Sequence, residues 1–194
     1  MKLHFDSNLD YQLDAIDAVV DVFRGQPYGN SSSAVLYVNE KQLSIEQVSA
    51  RGNILNLSDP QIADNVHSIQ QRNGLDLSEI KDILYDFRMG NSKPGQSLNH
   101  KELVNDMNFS IEMETGTGKT YVYLRTIHEL HKTYGWKKFI IVVPSVAIRE
   151  GVLKNLEITR EHFAAEYDNP EMNFYVWDSK KTGQAREFAT NDTL

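Results

Sequence analysis

Cysteine is absent from the 194 residues, which excludes disulfides and thiolate zinc sites and fits a reducing, cytosolic setting. Long apolar runs are missing too. The longest, FIIVV at Phe139 to Val143, is far too short to cross a bilayer, and the N-terminal MKLHFDSNLD carries acids where a secretion signal needs an apolar core. No membrane span or signal peptide is expected. There is no excess of positive charge either: the formal net charge is -7, with 15 acids and 9 bases in residues 1–108 and 12 acids and 11 bases in residues 109–194. A broad basic face for nucleic acid is therefore excluded, and any such contact has to be local, through backbone amides or a few cations. With 40% hydrophobic and 24% charged residues, the chain has the composition of one globular domain, or of one domain with an insertion.

Three parts follow along the chain. In residues 1–25, Ser7 and Asp10 have the spacing of a capping box, and Leu9, Leu13, Ile16, Val20 and Phe23 recur as one apolar helical face. Asp10, Asp14, Asp17 and Asp21 form a solvated stripe beside it, and Gly25 to Pro27 end the helix. Residues 26–108 carry no chemical motif. Ala34–Val38 and Asn53–Leu57 read as strands, Asp59–Gln71 as a helix opening on Asp-Pro, Leu77 to Phe87 as another apolar helical face, and GNSKPGQSLNH at Gly90–His100 as a connection. Residues 109–194 alternate strand and helix: a strand at 109–113, a helix from Lys119 to Tyr134 closed by Gly135, a buried strand at 139–143, a helix after Pro144 and Ser145, and a strand at Phe174–Trp177. That alternation predicts an α/β fold with a parallel sheet.

The chemistry sits in FSIEMETGTGKT, Phe109 to Thr120. Backbone amides hold phosphate oxygens only where the chain approaches closely, and Gly116 and Gly118, without a Cβ, allow it. The following helix turns its positive end to the same place. Lys119 adds a cation suited to the β and γ phosphates, and the Thr120 hydroxyl suits a magnesium ion. Met113 stands where the general phosphate-loop pattern has glycine, which points away from generic kinases and GTPases and toward the helicase form of the loop.

METGTGKTYVYLRTIHEL followed by FIIVVPSVAIREGV resembles motif I and motif Ia of the restriction (Res) subunit of type III restriction-modification enzymes, within the superfamily 2 helicases and translocases. FDSNLDYQLDAI resembles the Q motif of that superfamily. The resemblance implies a RecA-like P-loop domain, a parallel sheet with helices on both faces, with residues 26–108 as an α+β insertion between the N-terminal helix and the P-loop strand. It implies ATP and Mg2+ as ligands, DNA as the track, a methyltransferase (Mod) subunit as partner, and a bacterial or archaeal cytoplasm. Thr115, Gly116, Thr117 and Gly118 would form the phosphate cradle, Lys119 would be the catalytic phosphate cation, and Thr120 the magnesium ligand. Gln12 would read the adenine edge, since a carboxamide donates and accepts at once. From periodicity alone Gln12 is a polar residue at the rim of a helix face. Pro144, Ser145 and Arg149 would touch the DNA backbone; Ser145 is equally a helix cap.

Hydrolysis also needs an acidic pair on a second strand, one carboxylate for magnesium and one for water. The only position of that kind is Asp178 after FYVW, followed by Ser179, Lys180 and Lys181 rather than by glutamate. A polar residue there is also an ordinary strand end. The resemblance places the acidic box, the second motor lobe and the nuclease beyond Leu194, so the chain reads as an N-terminal fragment of a longer subunit. A helicase without nuclease, or a self-contained P-loop phosphotransferase using Asp178, are the alternatives. His128, Glu129 and His131 lack the spacing of a zinc-binding HExxH helix and read as surface residues, while Tyr121 and Tyr123 either flank the nucleotide or pack the helix.

Overall fold

The computed structural model describes residues 5–29, 31–36, 48–80, 83, 107–178 and 180–194. Its elements are α1 (Asp10–Asp21), β1 (Ser31–Leu36), β2 (Val48–Asn53), α2 (Asp59–Arg72), α3 (Lys119–Tyr134), α4 (Val146–Glu166) and α5 (Thr182–Thr190). No helix among the described residues is long and apolar enough to cross a membrane.

The helices follow their sequence signals. In α1, Ile16 of the expected apolar face is buried, and Asp10, Asp14 and Asp17 are exposed; Asp21 instead pairs with Arg72 at 2.6 Å and Arg24 at 2.9 Å. The expected capping box is not formed. Leu9 rather than Ser7 is the N-cap residue, so the Ser7 hydroxyl is not at the capping position and no side chain caps the helix; the Ser7 carbonyl accepts from Arg125. Helix α2 has the start that Asp-Pro suggested, with the Ser58 amide donating to Gln61 Oε1 at 3.0 Å. Helix α3 ends as expected at Gly135, whose φ of +72° lets its amide reach the His131 carbonyl at 2.8 Å. Ser145 caps α4 by accepting from the Ile148 amide at 3.3 Å. Helix α5 had no periodic apolar signal strong enough to be expected.

Strands depart from expectation. The single sheet among the described residues is the antiparallel pair β1–β2, with Ser31 opposite Asn53 and Leu36 opposite Val48. β1 overlaps the predicted strand at Ala34–Val38, whose last two residues lie outside the described set, whereas β2 shares only Asn53 with the predicted strand Asn53–Leu57, and residues 54–57 are not strand. The predicted segment Leu77 to Phe87 lies largely outside the described residues, and Gly90–His100 wholly so. None of 109–113, 139–143 and 174–177 forms a strand, so the parallel sheet with helices on both faces is not formed among the described residues. A parallel strand closes its backbone bonds only with neighbours on the sheet, and apolar composition alone cannot supply them. Ile140 and Val142 accordingly stand 80% and 87% exposed rather than buried.

Three apolar clusters hold the helices together. Val22 and Ile62 centre one between α1 and α2; Tyr121, Leu124, Val152, Leu156 and Phe163 join α3 to α4; Leu130, Tyr134 and Trp136 pack on Val19, Val20 and Phe23 of α1 and its exit. The end of β2 is stitched to the chain after α3: Asn53 Nδ2 donates to the Lys138 carbonyl at 2.7 Å, and its Oδ1 accepts from the Lys137 and Lys138 amides. Gln26, buried, clips the same region through the Ile54 carbonyl and the Asn56 amide.

His128 is not a surface residue. It is 4% exposed on the inner face of α3, stacked on Tyr167 at 5.0 Å and tilted on Phe163 at 4.8 Å, and its Nδ1 has no hydrogen-bond partner. Burial, with a smaller contribution from nearby His131, pushes its pKa from 6.5 to about 4. The folded chain therefore binds fewer protons than the unfolded chain in this range, and stability falls as pH drops from 6.5 toward 4. At pH 4.5 the loss amounts to about 2–3 kcal/mol relative to pH 7. Urea unfolding at the two pH values should show the wild type losing about that much more than His128→Gln; equal pH dependence in both proteins contradicts the assignment.

Candidate functional site

The loop before α3 is closed on itself by one carbonyl. Glu114 O accepts from Thr117 Oγ at 2.7 Å and from Lys119 Nζ at 2.5 Å, so the ammonium folds back into the ring of backbone that precedes it. Gly116 and Gly118 have φ of +86° and +83°, the left-handed region that glycine enters without strain. Gly118 is the N-cap of α3 and its carbonyl receives the Val122 amide at 3.0 Å. Thr115, Gly116, Gly118 and Lys119 are exposed, and Thr117 and Thr120 half-buried. The first amides of α3 have no acceptor within the helix, so exposed donors, a helix N-terminus and a cation lie together in one exposed loop. That is the chemistry of an anion site, and the residues suit a polyphosphate with its magnesium: glycine where the backbone must approach, a cation within the loop, and a hydroxyl at Thr120 in the first helical turn.

Gln12 belongs to the same site. It is 6% exposed, so it is no rim residue of α1, and its Nε2 donates to the Thr117 carbonyl at 2.9 Å across 105 residues of sequence. The contact is close on both sides. A Cβ placed on Gly118 would lie 2.8 Å from Gln12 Nε2, so a side chain there would meet a left-handed backbone and would also displace the amide end of the glutamine. One N–H of the carboxamide is committed to the loop, which leaves the second N–H and the Oε1.

The other proposed residues lie apart from the loop in their bonding. Ser145 is occupied as the cap of α4, Arg149 pairs with Glu150 at 2.9 Å, and Pro144 is exposed. Asp178 Oδ1 accepts from the Lys180 amide at 3.0 Å and its carbonyl from the Lys181 amide at 2.9 Å, the bonding of a turn residue. Among the described residues no carboxylate bonds Lys119 or Thr120, and no group of three acids and histidines could hold a metal ion. Tyr121 packs: its ring stacks on Phe5 at 5.7 Å and its hydroxyl meets His162 Nε2 at 2.8 Å. Tyr123 is half-buried against the same cluster. Glu129 accepts from the Tyr167 hydroxyl at 2.6 Å, and His131 Nδ1 is 2.8 Å from the Trp136 carbonyl. Sequence reasoning passed over Arg125, buried one helical turn and a half beyond Lys119; its only signal was a charge on the inward face of a helix.

The two loop glycines are separable by substitution. Alanine at either position meets a left-handed backbone, worth about 1–2 kcal/mol; at Gly116 nothing lies within 4 Å of the new Cβ, whereas at Gly118 it collides with Gln12. Urea unfolding should therefore show Gly118→Ala more destabilised than Gly116→Ala, with the excess removed in a Gln12→Ala background. Equal costs, or an excess that persists without Gln12, contradict the close packing.

The chain matches the family described as "Type III restriction enzyme, res subunit" over residues 8–193. It is 33% identical over 179 residues to the Res subunit of the type III restriction-modification enzyme EcoP15I of Escherichia coli, an alignment covering 91% of this chain and 15% of that relative. Against the EcoPI Res subunit of Escherichia phage P1 the identity is 32% over 181 residues, with the same shares covered. Against the StyLTI Res subunit of Salmonella typhimurium it is 49% over 67 residues, 34% of this chain and 7% of the relative. The chain thus spans about 15% of the length of the first two relatives. Because the family match takes in both the helix that carries Gln12 and the loop to which it is bonded, the chain belongs to the res-subunit family of type III restriction enzymes, with the helicase-like domain of that family.

Proposed function

We propose that this chain forms the ATP-binding part of a DNA-translocating motor in a type III restriction subunit. The observation that carries the reading is the bond from Gln12 to Thr117, which sets a carboxamide against a glycine-rich loop and supports a base reader beside a phosphate cradle. Amides of Thr115 to Lys119 and the N-terminus of α3 would hold the phosphates. Lys119, now on the Glu114 carbonyl, would exchange that bond for the β and γ phosphates, and the Thr120 hydroxyl would ligate Mg2+. The free N–H and Oε1 of Gln12 match the N7 acceptor and N6 donor of adenine and mismatch guanine, which presents two acceptors there. The parallel RecA-like sheet would organise 109–113, 139–143 and 174–177 around this loop, with residues 26–108 as an insertion. Pro144, Ser145 and Arg149 would meet the DNA backbone at the start of α4. In the full enzyme a Mod methyltransferase subunit would recognise the DNA site and a separate nuclease would cut it, in a cytoplasmic setting. The self-contained phosphotransferase gains nothing from Asp178, which is bonded within its own turn.

For the 194 residues alone, nucleotide binding should be separable from turnover. Fluorescent ATP should bind weakly, with a preference over GTP, and affinity should fall at least about tenfold in Lys119→Ala, the loss of one charge-assisted phosphate contact. Steady ATP hydrolysis should stay at background, since Asp178, the acidic candidate after the 174–177 segment, is bonded within its own turn. Binding that is indifferent to Lys119→Ala, or steady hydrolysis abolished by it, contradicts this reading.

A further inference from the structure

Arg125 is 7% exposed and spreads its guanidinium over three partners in two separate parts of the chain, the entry to α1 and the end of α4. Its Nη1 donates to the Ser7 carbonyl at 2.5 Å, its Nη2 to Glu166 Oε1 at 2.6 Å near the end of α4, and its Nε to the Tyr167 hydroxyl at 3.1 Å just beyond α4. The tyrosine is itself held, donating to Glu129 Oε1 at 2.6 Å on α3. Burial and that bond to Glu129 push its phenol above the usual range, so it remains protonated. The arrangement is a rigid fork with each prong used, a geometry that a lysine ammonium cannot reproduce.

Its position in the fold gives the fork a consequence. Ser7 lies just ahead of Asp10, where α1 begins, and α1 has no side-chain cap; the bond from Arg125 is what fastens the chain entering it. Phe5, stacked on Tyr121, fastens the same entry from the other side. The far end of the linkage is the loop. Helix α3 starts at Lys119 and carries Arg125 six residues later, about 9 Å along a stiff rod. One rigid helix therefore fixes both the loop and the entry of the helix that brings Gln12 beneath Thr117. A small rotation of α1 would move the Gln12 carboxamide, since it reaches the loop through a single 2.9 Å bond.

We infer that Arg125 is a positioning residue for base selection: by holding the Ser7 carbonyl against α3 and α4, it sets the orientation of α1 and so the presentation of the Gln12 carboxamide to the base. The inference rests on the proposed adenine-reading role of Gln12. Arg125 touches neither base nor phosphate in this scheme, so its loss affects discrimination between bases and leaves phosphate binding intact.

The test compares affinities of the chain for ATP, GTP and inorganic tripolyphosphate in the wild type, Arg125→Lys, Glu166→Gln, Gln12→Ala and the Arg125→Lys/Gln12→Ala double variant, each checked for fold by circular dichroism. Arg125→Lys should lower the ATP-to-GTP preference by about tenfold, as Gln12→Ala does, with tripolyphosphate affinity unchanged and no further loss in the double variant. Glu166→Gln, which keeps the shape of the side chain while weakening its hold on the guanidinium, should lower the preference about threefold and serves alone if Arg125→Lys does not fold. A folded variant with the wild-type preference overturns the inference, as does an equal loss of affinity for all three ligands, which marks a general structural role. A wild type that binds tripolyphosphate through Lys119 but shows no preference for ATP instead refutes the adenine role of Gln12 on which the inference stands.

Discussion

Everything proposed for this chain depends on one close approach, the packing of the Gln12 carboxamide against the backbone of Thr117 and Gly118. Glycine at position 118 serves two constraints at once: a left-handed backbone that begins α3, and the space that the buried glutamine fills. The loop can then present its amides outward while its inner carbonyl at Thr117 is satisfied by a side chain from the opposite end of the sequence. The buried carboxamide would be left unpaired without that carbonyl, at about 1–3 kcal/mol, while the half-buried Thr117 could turn to water. The two halves of the site are thus tied by the same contact that stabilises their docking.

Around that contact the molecule is organised by helices. Helix α3 is the common element, since it begins at the phosphate loop, packs on α4 through Tyr121, Leu124 and Phe163, and packs on α1 through Leu130 and Tyr134. Its inward polar residues are satisfied in different ways. Arg125 is fully engaged in three directions, whereas His128 is kept neutral among aromatic rings with one nitrogen unpaired. The end of β2 is joined to the exit of α3 by Asn53, so the segment between α1 and the loop is fastened to the same helix.

Legibility in the sequence followed the range of the interaction. Local signals succeeded: glycines at fixed spacing before a helix, Gly135 past its end, Ser145 at a cap and Pro60 in a first turn each act within a few residues. The capping box at Ser7 failed because the helix begins at Asp10 with Leu9 as its N-cap, two residues past the serine whose hydroxyl would have capped it. The strand readings at 109–113, 139–143 and 174–177 rested on apolar composition, which reports a preference for burial and says nothing of whether a neighbouring strand is there to pair. His128 was misjudged for a related reason: spacing places a residue on a helix face, while burial depends on which face meets α4. The bond between Gln12 and Thr117 spans 105 residues and was reachable only through the resemblance of the segments that carry them.

The central claim is that Gln12 reads the base beside a loop that holds the phosphates. Nuclear magnetic resonance of the isotopically labelled chain during titration with magnesium and nucleotide reads both parts of that site, through the backbone amides of Gly118 and Lys119 and the side-chain carboxamide of Gln12. With ATP, all three should shift together and saturate at one concentration; with GTP, the backbone amides should shift while the Gln12 carboxamide stays on the Thr117 carbonyl alone. A Gln12 resonance that ignores ATP while the loop amides respond, or that responds identically to both nucleotides, contradicts the account.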